Sequence, residues 1–297
     1  MAATGSTSSE RPPGLLNDTA ARDYSRKLRL FNNFAAPELR QAIASLSLRP
    51  GMTVLDAGCG TGEALHWLAS AVQPGGRVVG LDLASAHVAA AAGSAPADAL
   101  VVQADLRQLP LRAESFDLIW CVNTLHHLPE PLAAVGVWLD RLQRGGRVAI
   151  GQSSLLPEMF FAWDQRLERL VNEAVRRYYR ERYRVREEDL TGIRGVVGLL
   201  QRAGLRDVKA RTFVIERQSP LSPADRLYLE EAIFRDTWGE RLQPYLESQD
   251  YAALQRLCDP CGPEFALARP DFHFLQTFTV FEGVAESPRA AHPERQA

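Results

Sequence analysis

Lysine is nearly absent from this 297-residue chain: Lys27 and Lys209 are the only two. The other basic residues are arginines, and acids balance them to a formal net charge of -2. A surface that works by neutralising phosphates needs a positive excess, so the charge balance argues against a nucleic-acid binder of that kind, and no nucleic-acid partner is expected. No apolar run approaches the ~20 residues that span a bilayer. Met1 to Pro13 has neither the charged nor the apolar region of a secretory leader, and the expectation is a cytoplasmic protein. Cysteine is scarce too, and Cys59, Cys121, Cys258 and Cys261 are too few to frame a disulfide scaffold in a chain this long. Cys258-Asp259-Pro260-Cys261 is a C-x-x-C, but no second pair completes a zinc site. Pro260 and Gly262 make it a helix end, and no metal is expected.

What is present is concentrated at Val54-Leu55-Asp56-Ala57-Gly58-Cys59-Gly60-Thr61-Gly62. It reads as a buried strand entering a glycine turn, with a helix starting at Glu63. Glycines at 58, 60 and 62 leave no side chains to keep a ligand from the backbone. Two nucleotide signatures fail here. A dinucleotide turn needs a third small residue, and the third positions fall on Glu63 or Leu65. A phosphate loop needs a lysine after its glycines, and none follows.

Further strands close on polar residues. Arg77-Val78-Val79-Gly80-Leu81-Asp82-Leu83 ends in an acid suited to two ribose hydroxyls. Leu100 to Leu106 ends on Asp105-Leu106, and Phe116 to Asn123 runs into Thr124-Leu125-His126-His127-Leu128. Gly145 to Ile150 gives a turn and a fifth strand. Helical segments at 62–72, 84–92 and 131–142 alternate with these strands, which means a parallel sheet covered on both faces.

An acid two residues before G-x-G-x-G, with this order of strand ends, resembles the class I S-adenosylmethionine (SAM)-dependent methyltransferases over roughly residues 20 to 152. The general small-molecule and quinone-biosynthesis branch is the most similar. The resemblance implies an α/β, Rossmann-like doubly wound sheet of order 3-2-1-4-5-7-6, with strand 7 antiparallel. It also implies that Gly58, Cys59, Gly60 and Thr61 meet the methionine part of SAM and that Asp82 takes the ribose. Asp105 would meet adenine, Leu83 and Leu106 would sandwich it, and Asn123 and His127 would line the cofactor. Asp56 would orient the turn or the cofactor's amino group, and Tyr24 would act as a lid residue. After strand four this sequence reads Cys121-Val122-Asn123-Thr124, without the N-P-P-Y-like run of amino-modifying nucleic-acid and protein-glutamine enzymes.

The remaining chain departs from a minimal core. Residues 1–18 and 286–297 read as disordered tails, and 19–154 as the SAM-binding core. Strand six falls in 201–217 and strand seven in 271–285. Between them lie two helical insertions, 155–200 and 218–270, which read as a cap over the acceptor; a homodimer interface is the competing use. The first carries an amphipathic stretch from Phe160 to Tyr183 with Trp163, Tyr178 and Tyr179. Its arginines 176, 177, 180, 182 and 184 suit an anionic or aromatic small-molecule acceptor, whereas Glu181, Glu187, Glu188 and Asp189 suit a plain salt-bridged surface.

Methyl transfer needs an in-line approach and sometimes a base. His126 and His127 are the catalytic candidates, with His273, Glu168 and Glu173 behind them. The acceptor atom, carbon, oxygen or nitrogen, stays open. Two other classes remain: an NAD(P)-dependent oxidoreductase and a SAM-binding protein without catalysis.

Overall fold

In the computed structural model the described residues are 24–153, 160–161, 164–183 and 195–286. The expected tails at 1–18 and 287–297, Trp163 and residues 184–189 lie outside them. Five parallel strands form the first part of the sheet: β1 (Thr53–Ala57), β2 (Arg77–Asp82), β3 (Ala99–Gln103), β4 (Phe116–Val122) and β5 (Leu142–Ser153). Two long strands follow, β7 (Leu205–Gln218) and β8 (His273–Ala285), with a two-residue β6 (Phe160–Phe161) before them. Their spatial order is 3-2-1-4-5-8, and β7 pairs along the far edge of β8. β8 runs antiparallel to both β5 and β7, so the expected seven-strand order holds.

The strands carry apolar runs because they are buried on both faces. Side chains alternate along each strand. Val54, Leu118 and Trp120 accordingly enter one core, while Leu55, Ile119 and Cys121 enter the other. The first core receives α1 (Ser25–Phe34), α2 (Ala36–Ser45) and α3 (Glu63–Val72). The second receives α5 (Pro131–Leu139) and α7 (Val196–Arg202). A short α4 (Ser85–Ala92) joins β2 to β3.

The described parts of both insertions are mainly helical, with two departures from the sequence reading. The amphipathic helix α6 spans Gln165–Tyr183, and residues 160–161 are instead drawn into the sheet by β8. Within the helical insertion expected at 218–270, the chain is α-helical in α8 (Pro223–Tyr228), and from Leu229 to Thr237 it is a π-helix. Thr237 Oγ1 donates to the Ala232 carbonyl at 2.7 Å, and Trp238 N–H reaches Ile233 O, which holds the wider turn. Periodicity in the sequence does not separate π from α over nine residues. α9 (Ser248–Cys258) completes the second insertion. Asp259 then caps the backbone N–H of Cys261 at 2.9 Å, so the C-x-x-C is a helix end. No helix among the described residues is long and apolar enough to cross a membrane.

Candidate active site

The strand carboxyl ends open into a cavity of about 1090 Å³. Open parallel sheets place ligands at that edge. Its floor is the glycine turn. Gly58 has φ +84° and Gly60 φ +54°, where a side chain is strained. A Cβ at Gly58 would stand 2.4 Å from Thr124 Oγ1, and one at Gly60 would stand 3.1 Å from Leu28 Cδ1 of α1.

Four of the turn's amides are spent inside the protein. Gly58 and Cys59 N–H both donate to Leu81 O, Gly60 N–H to Asp82 Oδ2 at 2.9 Å, and Gly62 N–H to Cys59 O. A phosphate cradle works by aiming free amides at an anion. This turn offers close approach instead, which is a physical reason against a pyrophosphate ligand. The sequence had suggested the same through its missing third glycine.

Asp82 is the hub beside the turn. Its Oδ1 accepts from Ala84 N–H at 2.9 Å and from His87 Nδ1 at 3.2 Å. A carboxylate has about four lone-pair sites, and with Gly60, Ala84 and His87 on three of them Asp82 keeps room on Oδ2 for one hydroxyl. Asp56 is buried at the end of β1, and its Oδ2 has no hydrogen-bond partner. Burial, then the nearby Asp82 and Glu63 charges, pushes its carboxyl up to about 8. Asp105 lines the cavity but is forked by Arg107, whose hydrogen bonds hold its carboxyl below the usual range. Leu83 is 45% exposed and Leu106 is buried, both against the cavity.

The ends of β4 and β5 are knit together. Asn123 sits at φ +48°, a region asparagine tolerates better than most residues. Its Oδ1 accepts from Ser153 N–H at 2.8 Å, and its Nδ2 donates to Ser153 Oγ at 3.0 Å. Gln152 Oε1 accepts from His126 Nδ1 at 3.0 Å, which fixes the tautomer with Nε2 as the lone-pair nitrogen. Burial lowers His126 to about 4, so its ring is neutral at ordinary pH. His127 packs on it with ring centroids 3.8 Å apart, and its Nδ1 has no partner. Burial first, then His126, holds His127 well below its usual value.

The cavity thus gathers Tyr24, Asp56, Gly58, Cys59, Gly60, Asp82, Leu83, Asp105, Leu106, Asn123, His126 and His127, all anticipated from the sequence. Thr61 does not join them. Its hydroxyl donates to Glu63 behind the turn, where Asn32 of α1 also binds Glu63. His273 pairs with Glu216 on the sheet's exposed surface, and Glu168 and Glu173 do not line the cavity. Among the α6 residues, Tyr178 and Tyr179 face the cavity, but the arginines of that segment do not. Arg177 instead lies over the Tyr245 ring, and Arg180 pairs with Glu173.

Several cavity residues escaped the sequence reading; among them His87, Gln152, Ser153 and Trp120 carry no motif of their own. The π-helix brings a further set from 231 to 237, which only its register makes face inward.

Residues 55–150 match the family described as "Methyltransferase domain". The 27-O-demethylrifamycin SV methyltransferase of Amycolatopsis mediterranei is 36% identical over 117 residues, 38% of this chain and 42% of that protein. The match therefore spans less than half the length of that relative. Among solved structures, the phosphoethanolamine N-methyltransferase 2 of Haemonchus contortus, in complex with phosphomonomethylethanolamine and S-adenosylhomocysteine, aligns with a TM-score of 0.54 at 16% identity, over 92% of this chain and 59% of that one. The [4+2]-cyclase SpnF aligns with a TM-score of 0.51 at 17% identity, over 93% of this chain and 97% of that one. At those identities the likeness is one of fold.

Proposed function

The chain carries the methyltransferase domain of the class I SAM-dependent superfamily, and we propose that it transfers the methyl group of SAM to a small organic acceptor beneath a helical cap. The observation that supports this best is the buried, unpartnered Oδ2 of Asp56 beside a turn in which the amides of Gly58, Cys59, Gly60 and Gly62 are already spent. That donor set fits a ligand bearing an ammonium and ribose hydroxyls and lacking phosphate. SAM, when bound, supplies an electrophilic methyl on a sulfonium. Asp56 would meet its ammonium and Asp82 a ribose hydroxyl. Leu83 and Leu106 would cover its adenine, with Asp105 at the ring edge. The turn residues Gly58, Cys59 and Gly60 would lie along its methionine part, and Asn123 and His127 beside its reactive end.

The chain's own contribution is placement and dryness. The described parts of 155–200 and 218–270 would form the cap, with Tyr178, Tyr179 and the 228–241 segment as its inner surface. Tyr24 closes the same space from the start of α1. His126, held neutral and oriented by Gln152, is the group we assign to accept a proton from a hydroxyl or amine acceptor. The acceptor is read as anionic or aromatic from the tyrosines and cations around it. A cytoplasmic setting belongs to the same proposal and rests on the free cysteines and near-neutral charge. A homodimer through the insertions is their competing use.

Calorimetry with S-adenosylhomocysteine (SAH), SAM and NADPH tests the cofactor, and methyl-tritiated SAM offered with a panel of small acids, phenols and amines tests the transfer. SAH binding with label in an organic product is the expected result. NADPH binding without SAH would sink the reading. The cyclase neighbour marks the other outcome, since one fold can carry different reactions. SAH binding with no label transferred to any acceptor would favour a protein that uses the cavity without methylation.

A further inference from the structure

We propose that Lys27 and Arg241 form a two-cation subsite that holds an anionic group of the methyl acceptor, a carboxylate or a phosphate. This rests on the methyltransferase reading and names the chemistry of its second substrate.

The charges around the cavity point to it once the internal pairs are removed. Four cations line the space: Arg26, Lys27, Arg235 and Arg241. Arg26 is forked onto Glu231 at 2.7 Å through Nε, and Arg235 pairs with Glu231 at 3.2 Å and with Asp236 at 3.9 Å. Lys27 and Arg241 have no ion pair or side-chain hydrogen bond among the described residues. Arg241 lies instead over the Tyr178 ring, with its guanidinium carbon 5.2 Å from the centroid.

These two cations also sense each other. Burial, and next the charge of Arg241, holds the Lys27 ammonium below its ordinary range, while Asp236 draws it partly back. Two like charges facing one partly dry space are unfavourable together. An anion between them removes that repulsion and gains charge-assisted hydrogen bonds from both. Lysine suits the position, because its ammonium is a compact donor that can turn toward an acceptor. It is also one of only two lysines in a chain that elsewhere uses arginine.

The cofactor's own carboxylate is the rival occupant, and the electrostatic neighbourhoods separate the two. The charges that act on Asp56, next to the glycine turn, are Asp82 and Glu63. Those acting on Lys27 are Arg241 and Asp236, both in the second insertion. On α1 it is Leu28 and Asn32 that face the turn and the start of α3. Lys27 therefore belongs to the capped half of the cavity, beside Tyr178 and Tyr179, where the acceptor would lie.

The test is calorimetry on the full chain saturated with SAH, titrated with benzoate and with its neutral analogue benzamide. Benzoate should bind at least about tenfold tighter than benzamide, the scale of one charge-assisted hydrogen bond. K27M and R241M should each reduce that preference to about twofold or less, whereas R241K and R235M should keep it. SAH affinity should stay unchanged in all four, with melting temperatures near the parent's as the folding control. Equal or absent binding of benzoate and benzamide to the parent overturns the subsite. So does a K27M variant that loses SAH affinity, since it assigns the cation to the cofactor's carboxylate. Failure of the unaltered chain to bind SAH at all would instead remove the methyltransferase reading, and this inference with it.

Discussion

The two walls of the cavity are built by different means. The strand-end wall is a backbone construction. Gly58 and Gly60 take positive φ, their amides bind Leu81 O and Asp82, and Asn123 is clamped to Ser153. The opposite wall is held by side chains reaching across long sequence distances. Arg217 of β7 donates to Glu38 of α2, to Asp225 of α8 and to the Phe34 carbonyl at the end of α1, with its guanidinium 4.8 Å over the Phe34 ring. Phe34 in turn stacks on Tyr228 at 4.2 Å. A wall fixed by backbone geometry tolerates few residue types and suits a ligand that does not change. A wall fixed by side-chain packing can be rebuilt for each acceptor.

The sharpest way to break the contrast is at the turn. Gly58→Ala adds a Cβ 2.4 Å from Thr124 Oγ1 at a backbone angle unfavourable for alanine. A cost of about 3 kcal/mol is expected from strain and overpacking together. Denaturant melts should show it, along with loss of SAH binding. A variant as stable as the parent would mean the turn is not constrained as described.

Asp82→Ala comes next. It removes the acceptor for Gly60 N–H, Ala84 N–H and His87 along with the expected ribose contact. SAH affinity should fall by about a hundredfold, the upper end for one hydrogen bond to a charged group. Unchanged binding would displace the cofactor from this wall. On the opposite wall, Arg217→Met should cost about 2 kcal/mol of stability, because it strands Glu38 and Asp225 in partly buried positions. SAH affinity should change less than in Asp82→Ala. If the two variants lost SAH affinity equally, the walls would not be separable.

The same contrast explains what the sequence disclosed. Asp56, Gly58, Gly60, Asp82 and Asp105 were legible because each is a residue type demanded by a local backbone event at a strand end. Thr61 falls outside the cavity lining because its hydroxyl turns back to Glu63, although Gly60 beside it lines the space. For the arginines of α6 the sequence left an acceptor role and a salt-bridged surface both open, because charge runs on a helix do not reveal which face is covered. Lys27 and Arg241 stand 214 positions apart in the numbering, and only the packing of α1 against the second insertion brings them to one space. His87 and Gln152 are ordinary residues in the sequence, and they become part of the site through Asp82 and His126.

The finest test of the strand-end wall is a pH dependence at Asp56. Its carboxyl is pushed up to about 8 in the folded protein by burial and then by Asp82 and Glu63, against about 3.9 in an unfolded chain. The folded state therefore keeps a proton that the unfolded state has released. The stability this group contributes is complete below about 4 and is lost as pH rises toward 8. Asp56→Asn keeps the shape and abolishes the titration, so its melting temperature should gain on the parent's as pH moves from 5 to 8. A bound ammonium reverses the preference, because a neighbouring positive charge favours the ionised carboxylate. SAH binding at pH 7 should then expel a proton from Asp56, with a binding heat that tracks the ionisation enthalpy of the buffer. The parent's affinity should rise with pH up to about 8, and that of Asp56→Asn should be weaker and flat across the same range. A parent whose affinity is also flat, with no proton released, would show that the ammonium is held elsewhere. Asp56 would then belong with the buried structure of β1, and the strand-end wall would grip its ligand through Asp82 alone.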